Sequence, residues 1–268
     1  MDHSSESLQA YHAALANRPD LNNRVGGADP AVVGRLSLAS LRQCGLPQDK
    51  PITICDYGCG IGRVAAHVAH AAAPGSRLIG VDIMPEFVGF CSDNVHAPGV
   101  ASQFHLLEAT NEHYARTAER GHRDTPVIPA VELVTMLKES TDFLYSISVF
   151  THLAPSMADE ALRVIAAILK PGGIATLTFF LYDAEVEWRR KKGRARGEFD
   201  LDRGYWEDNT FYGNRGDRLA FVAYRPDAVL GMAQAHGLSL RSCFAGTWRG
   251  TGIITHALQD FVVFEKTK

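Results

Sequence analysis

The run Ile52-Thr-Ile-Cys-Asp-Tyr-Gly58-Cys-Gly60-Ile-Gly62-Arg constrains this chain more than any other stretch. An apolar segment of strand length breaks there into three closely spaced glycines, and a helix-like segment, 64–73, follows. Glycine reaches backbone conformations that a side chain forbids and lets a bound group approach the main chain. The helix behind it aims its unpaired N–H groups and the positive end of its dipole at the same spot. The pattern is a strand-to-helix turn suited to a ligand. The dinucleotide fingerprint G-x-G-x-x-G would place its third glycine where this chain has Arg63, which weighs against a nicotinamide cofactor.

With 268 residues, 46% of them hydrophobic, the chain can bury a sizeable core as one large domain. A formal net charge of -3 supplies no basic field, so nucleic acid is not an expected partner. The polar start Met1-Asp-His-Ser-Ser-Glu has no apolar core of a leader, and no apolar run approaches the roughly 20 residues that span a bilayer. A cytoplasmic protein without membrane attachment is the expectation. The five cysteines are scattered without C-x-x-C spacing, which argues for reduced thiols rather than disulfides or zinc. Cys59 sits in the glycine turn near a helix N-terminus, where a thiol pKa can fall.

Helices are expected at 5–17 and 29–44, the second opening on Asp29-Pro30, with the turn Arg24-Val-Gly-Gly27 between them. Strands at 52–57, 77–82, 103–107, 143–149 and 174–181 then alternate with helices at 61–73, 85–95 and 156–170, which predicts a parallel doubly wound sheet. A helix at 226–236 and strands at 238–244 and 260–264 close the chain. The organisation expected is an N-terminal helical cap over 1–50 and one α/β domain over 51–268. Within it 182–219 changes character, with six basic residues in the eight of 189–196, then Glu198, Asp200 and Asp202, then Tyr205, Trp206, Phe211 and Tyr212. That stretch reads as an insertion or lid.

Four motifs follow one another in register: Asp56-Tyr-Gly58-Cys-Gly60-Ile-Gly62, Val81-Asp82, Asp142-Phe-Leu-Tyr-Ser146-Ile-Ser148-Val-Phe-Thr-His152, and Leu169-Lys-Pro-Gly-Gly173. In order and spacing they resemble the class I S-adenosylmethionine-dependent methyltransferases. The resemblance covers roughly residues 50–182 and, weakly, Gln259-Asp-Phe-Val-Val-Phe264. It implies a Rossmann-like sheet of seven strands in the order 3-2-1-4-5-7-6, with strand 7 antiparallel. It implies S-adenosylmethionine as cofactor, lying along Asp56, Gly58, Cys59, Gly60 and Gly62, with both ribose hydroxyls on Asp82. A carboxylate can accept two hydroxyl protons at once; an N-cap for the helix at 85–95 is the structural alternative for Asp82.

Ile83 and Met84 would flank the adenine, and Ser146 would lie beside the bound group. The family's usual acidic or amide adenine contact is not in its familiar form here, so Glu108 and Asn111 compete for it. Asp56 would meet the methionine ammonium, and Arg63 either its carboxylate or the lid. His152 is the candidate general base, since an imidazole of ordinary pKa near 6.5 can take a hydroxyl proton. A histidine that bonds a backbone carbonyl is the structural alternative, and His113 and His256 could also reach the pocket mouth. Trp188, Tyr205 and Trp248 are candidates for an acceptor-binding wall, with core packing as the alternative. His67 and His70 share one helix face, but no third ligand is within reach, so no metal is expected.

Arg24-Val-Gly-Gly27, Gly60-Ile-Gly-Arg-Val64, Ser148-Val-Phe-Thr-His-Leu153 and Gln259-Asp260 also resemble a bacterial branch found beside polysaccharide, glycolipid and natural-product glycosylation. The expected reaction is therefore methyl transfer to a small-molecule acceptor, first of all a sugar hydroxyl. N- or C-methylation of another small metabolite is the runner-up, and an NAD(P)-dependent oxidoreductase on a similar sheet is the alternative from another class. A homodimer is an open alternative to a monomer.

Overall fold

The computed structural model describes residues 3–108, 111, 126–192, 204–250 and 258–267. Three helices come first: α1 (His3–Ala16), α2 (Pro19–Arg24) and α3 (Pro30–Gln43). The sheet and its crossovers follow as β1 (Thr53–Tyr57), α4 (Arg63–Ala71), β2 (Arg77–Asp82), α5 (Pro85–Asn94), β3 (Ala101–Leu107), β4 (Val127–Ile128), α6 (Ala130–Leu137), β5 (Thr141–Ser146), α7 (Pro155–Ile168) and β6 (Leu169–Phe179). Then come α8 (Ala184–Lys191), β7 (Tyr205–Glu207), β8 (Thr210–Tyr212), β9 (Val222–Tyr224), α9 (Pro226–Ala235), β10 (Leu238–Phe244) and β11 (Asp260–Lys266).

The main sheet runs β10-β11-β6-β5-β1-β2-β3-β4, parallel except that β11 is antiparallel to both its neighbours. This is the order the motifs imply, extended by the two-residue edge strand β4, which is too short to leave a pattern in the sequence. Local chemistry sets the boundaries. Asp29 caps α3 by accepting the Val32 N–H at 2.9 Å, with Pro30 at its first position. Proline opens α5, α7 and α9 in the same way. One more proline-led helix, α2, occupies residues ahead of the Arg24–Gly27 turn to which the sequence assigned no element.

Both faces of the sheet are covered. One carries α6, α7 and α9 over Cys55, Val81, Leu144, Leu177 and their neighbours. The other carries α1 to α5 over Ile54, Leu78, Phe143 and Val263. This two-sided burial explains why the strands read as nearly continuous apolar runs. A smaller antiparallel sheet, β7-β8-β9, joins the end of β6, where Tyr182 and Tyr224 exchange backbone bonds with Tyr224 and Phe180 at 2.8 and 2.9 Å. Its Tyr212, Leu219, Val222 and Tyr224 belong to the main core, so this part of the 182–219 stretch is packed into the domain. The rest of the basic and acidic run, from Arg194 through Asp202, lies outside the described residues. No described helix is long and apolar enough to cross a membrane.

β5 ends at Ser146, earlier than the apolar pattern through Val149 indicates. Ser148 takes a left-handed φ of 60° and gives its N–H to Thr178 Oγ1 at 2.8 Å, so the ladder stops. The turn Phe150–His152 follows. This break places the strand-four motif at the carboxyl end of the sheet, between β1 and the three-stranded layer.

Candidate functional site

In an open parallel sheet, ligands bind where the strand order reverses, beyond the carboxyl ends of the strands. Here that point lies at β1, with β2 on one side and β5 on the other. A cavity of about 680 Å³ opens there, lined by the glycine turn, the end of β2, the loop after β5, the 23–26 stretch and part of α7. Its size falls within the range of small-molecule sites.

The glycine turn is built by bonds that only its backbone can make. Gly58, Gly60 and Gly62 have φ of 85°, 52° and 81°, in the region that L side chains avoid. The N–H groups of Gly58 and Cys59 donate to the Val81 carbonyl at 2.8 and 2.9 Å, which stitches the turn to β2. A Cβ on Gly58 would stand 2.2 Å from Val149 Cγ2. Gly62 does not line the cavity; it starts α4 against Tyr11, Cys91 and Val95, where a Cβ would come within 2.8 Å of Val95 Cγ2. Its role is close packing.

Asp82 receives the Gly60 N–H on Oδ2 at 2.8 Å and the Met84 N–H on Oδ1 at 2.9 Å. Burial pushes its pKa up to about 6, against the pull of those N–H groups and of Arg24. Each oxygen retains acceptor capacity after its one backbone bond. Ile83 and Met84 follow as apolar lining. Asp56 also lines the cavity although only 3% of its surface is exposed. Burial pushes its pKa to about 8, opposed by Tyr145 and assisted by the Asp82 charge.

Arg63 lines the cavity and donates to the Val25 carbonyl at 2.7 Å, tying α4 to the stretch before α3. Beside Val25, Arg24 pairs with Glu86 at 3.1 Å and lies 5.0 Å over the Phe87 ring. Its Nε and one terminal nitrogen are buried without a hydrogen-bond partner among the described residues.

His152 is half-buried in the cavity wall, and its Nδ1 stands 2.9 Å from the Leu219 carbonyl. A carbonyl only accepts, so Nδ1 carries a proton, and in the neutral imidazole the lone pair is then on Nε2. The loop is fixed further by Asn111 Nδ2, which donates to the His152 carbonyl at 2.9 Å, and by the Tyr224 hydroxyl, which donates to the Leu153 carbonyl. Thus the three-stranded layer is what orients this histidine. Asn111 lies in the cavity, whereas Glu108 is exposed outside it.

These features fit an adenosyl group bearing an amino acid: a partly buried carboxylate with acceptor capacity to spare, apolar flanks, a second acid for a cation, and a glycine turn without side chains. A methyltransferase-domain family model matches residues 34–241, more than half of the chain. The chain belongs to this methyltransferase family. Solved structures share the fold at low identity. The 1,6-didemethyltoxoflavin-N1-methyltransferase of Burkholderia thailandensis, solved with S-adenosylhomocysteine, is 15% identical with a TM-score of 0.54, covering 100% of this chain and 91% of its own. Magnesium protoporphyrin IX methyltransferase of Synechocystis, also with S-adenosylhomocysteine, is 14% identical with a TM-score of 0.54, covering 92% and 94%. A methyltransferase of Methanosarcina mazei is 17% identical with a TM-score of 0.52, covering 85% and 97%.

Several residues singled out from the sequence stand elsewhere in the methyltransferase. Ser146 is fully buried and donates to the Tyr57 carbonyl at 2.7 Å, so it clamps β5 to β1 and does not line the cavity. Trp248 is 1% exposed; its indole N–H donates to Asp260 Oδ2 at 2.8 Å in a satellite core with Phe180 and Phe221. Trp188 lies half-exposed on α8, and Tyr205 stacks on Tyr212 in the small sheet. None of the three lines the cavity. Cys59 does, but the bonded Cys91 thiol and burial push its pKa well up, which makes it a packing residue and not the activated thiol its place near a helix N-terminus suggested. His113 and His256 lie outside the described residues. Among described residues no cluster could hold a metal; His67 contacts the Arg63 carbonyl and His70 meets Ser7.

Four further parts of the wall carry no ligand role of their own in the sequence: the stretch of Asn23 to Gly26, Phe87, the pair Ser148 and Gln259, and Met157 with Glu160 on α7. The first had a signal, the turn Arg24-Val-Gly-Gly27. The pair Ser148 and Gln259 lies 111 residues apart and has none beyond its place in the motifs.

Proposed function

We propose that this methyltransferase O-methylates a hydroxyl of a small molecule, a sugar or glycosylated metabolite first of all, with His152 as general base. Bound S-adenosylmethionine supplies a methyl group on a sulfonium whose departure is already favourable. The residues supply the rest. Asp82 accepts the two ribose hydroxyls, Ile83 and Met84 cover the adenine faces, and Asn111 takes the adenine edge. Asp56 accepts from the ammonium, and Gly58 and Gly60 leave room for the amino-acid arm beside Arg63. Because Asn111 also holds the His152 carbonyl, cofactor seating and base placement share one residue.

The observation that carries the reading is the bond from His152 Nδ1 to the Leu219 carbonyl in the same cavity as Asp82. It sets the tautomer whose Nε2 can take a proton. As the acceptor oxygen takes the methyl, its O–H proton passes to His152 Nε2. Alignment of acceptor and methyl supplies most of the acceleration, and the base adds a factor typical of proton transfer.

Transfer of labelled methyl to a panel of hydroxyl acceptors tests this. His152→Ala should lower turnover by about a hundredfold to ten-thousandfold while S-adenosylhomocysteine binding stays near normal. Near-normal turnover in that variant would sink the general-base role and favour an acceptor that needs none.

A further inference from the structure

Ser148 and Gln259 both line the cavity and take no part in the chemistry described above. Ser148 is exposed there and holds φ at 60°, a conformation that glycine would adopt freely and a serine keeps only under constraint. The constraint comes from behind: its N–H is taken by Thr178 Oγ1 at 2.8 Å, and Thr178 is 1% exposed. Its hydroxyl stands 2.9 Å from the amide nitrogen and 3.1 Å from the amide oxygen of Gln259.

Gln259 is anchored in turn by the residue that follows it. The fully buried Asp260 carboxylate accepts from Leu181 N, Gly246 N and Trp248 Nε1 at 2.8 Å each and from Arg249 Nε at 2.7 Å. Arg249 then reaches Asp183 at 2.6 Å, so β11, β6 and α8 meet at one hub. A hydroxyl and an amide, bonded to each other and carried on backbone that buried bonds hold at Thr178 and Asp260, therefore face a ligand cavity as a preorganised neutral pair. Their contact engages the amide oxygen and one amide N–H, and leaves the second amide N–H and a hydroxyl lone pair for an incoming group. A group that both donates and accepts at one atom suits such a pair best. The cationic side chains of the wall, Arg24 and Arg63, are engaged with Glu86 and the Val25 carbonyl on the glycine-turn side.

We propose that Ser148 and Gln259 are positioning residues that orient the acceptor through neutral hydrogen bonds, and that they select an uncharged, hydroxyl-bearing molecule. The proposal rests on the O-methylation reading and names the residues that would choose its substrate.

The test uses the full chain saturated with S-adenosylhomocysteine. Methyl glucoside and methyl rhamnoside serve as probes, benzoate and benzylamine as charged controls, and binding is read by saturation-transfer NMR and titration. The expected result is glycoside binding that falls at least tenfold in Gln259→Leu and in Ser148→Gly, with S-adenosylhomocysteine affinity within twofold of wild type. With a glycoside that accepts methyl, the loss should fall on KM more than on kcat. Ser148→Gly separates roles: it relieves the backbone, so it should melt no lower than wild type while losing the ligand. If glycosides bind and are methylated but both variants match wild type, the pair is overturned and the O-methylation reading stands. If S-adenosylhomocysteine affinity falls in parallel, the pair serves the cofactor and the proposal fails. If benzoate or benzylamine binds and neither glycoside does, the pair and the sugar reading fall together.

Discussion

Asp56 provides the most quantitative prediction. It is buried in the wall of the cavity, and its pKa is raised from 3.8 to about 8. At pH 7 a carboxyl with that pKa is ionised in only about one molecule in eleven. An ammonium group beside it favours the charged form, so cofactor binding should draw the proton off. The expected release is about 0.9 proton for each S-adenosylhomocysteine bound at pH 7. Ionising the acid beforehand costs about 1.4 kcal/mol at that pH, so affinity should rise about five- to sixfold from pH 7 to pH 8 and less than twofold from pH 8 to pH 9. Titration calorimetry in phosphate and in Tris, whose ionisation enthalpies differ widely, counts the protons directly. Asp56→Asn should show no release and a flat profile. Release that is absent in wild type, or that persists in the asparagine variant, would refute the pairing of Asp56 with the ammonium. The same shift has a stability consequence. The folded state holds this proton up to about pH 8, while the unfolded chain loses it near 3.8. Between these values the native state binds more protons, so without ligand this group makes stability fall as pH rises, the reverse of a salt-bridged carboxylate. Asp56→Asn should flatten that part of the melting profile.

Asp82→Asn should weaken S-adenosylhomocysteine binding by about 1–3 kcal/mol in calorimetry. Asparagine keeps an acceptor for only one of the Gly60 and Met84 N–H groups and alanine for neither, so the melting temperature without ligand should fall in both, less in asparagine, and is read beside the affinity. Wild-type affinity should also fall on acidification through about pH 6, where Asp82 takes up its proton and loses acceptor capacity. Gly58→Ala combines a positive φ with a Cβ 2.2 Å from Val149 Cγ2 and should cost about 2–4 kcal/mol in denaturant unfolding. Asp260→Ala should cost about 3–5 kcal/mol, because it removes one of the two carboxylates on the buried Arg249 and leaves its Nε and three further N–H donors without their acceptor.

The legible part of this molecule is the part whose physics is local. A glycine turn needs three glycines in seven residues, and an acid at a strand end needs only its neighbours, so the turn, Asp82 and the sheet order could be read from short motifs. Prolines and the Asp29 cap marked the helix starts in the same way. What the chain hid depends on distant partners. Ser148 breaks β5 because Thr178, thirty residues on, takes its N–H. Trp248 is aromatic, as a stacking wall would be, but its N–H is satisfied by Asp260 in a dry cluster, and composition does not distinguish the two. For His152 the sequence leaves catalysis and a carbonyl bond side by side; the carbonyl bond is present, and its partner Leu219 lies 67 residues away. The 23–26 stretch entered the wall through Arg63 and Glu86, contacts that no local pattern encodes.

The most direct test of the account is a crystal structure of the protein with S-adenosylhomocysteine. Both ribose hydroxyls should lie on the Asp82 carboxylate, the amino-acid arm over Gly58 and Gly60 with its ammonium on Asp56, and the sulfur should face the side of the cavity that holds His152 and Ser148. A product seated elsewhere, or one whose ribose is held by a group other than Asp82, would contradict it.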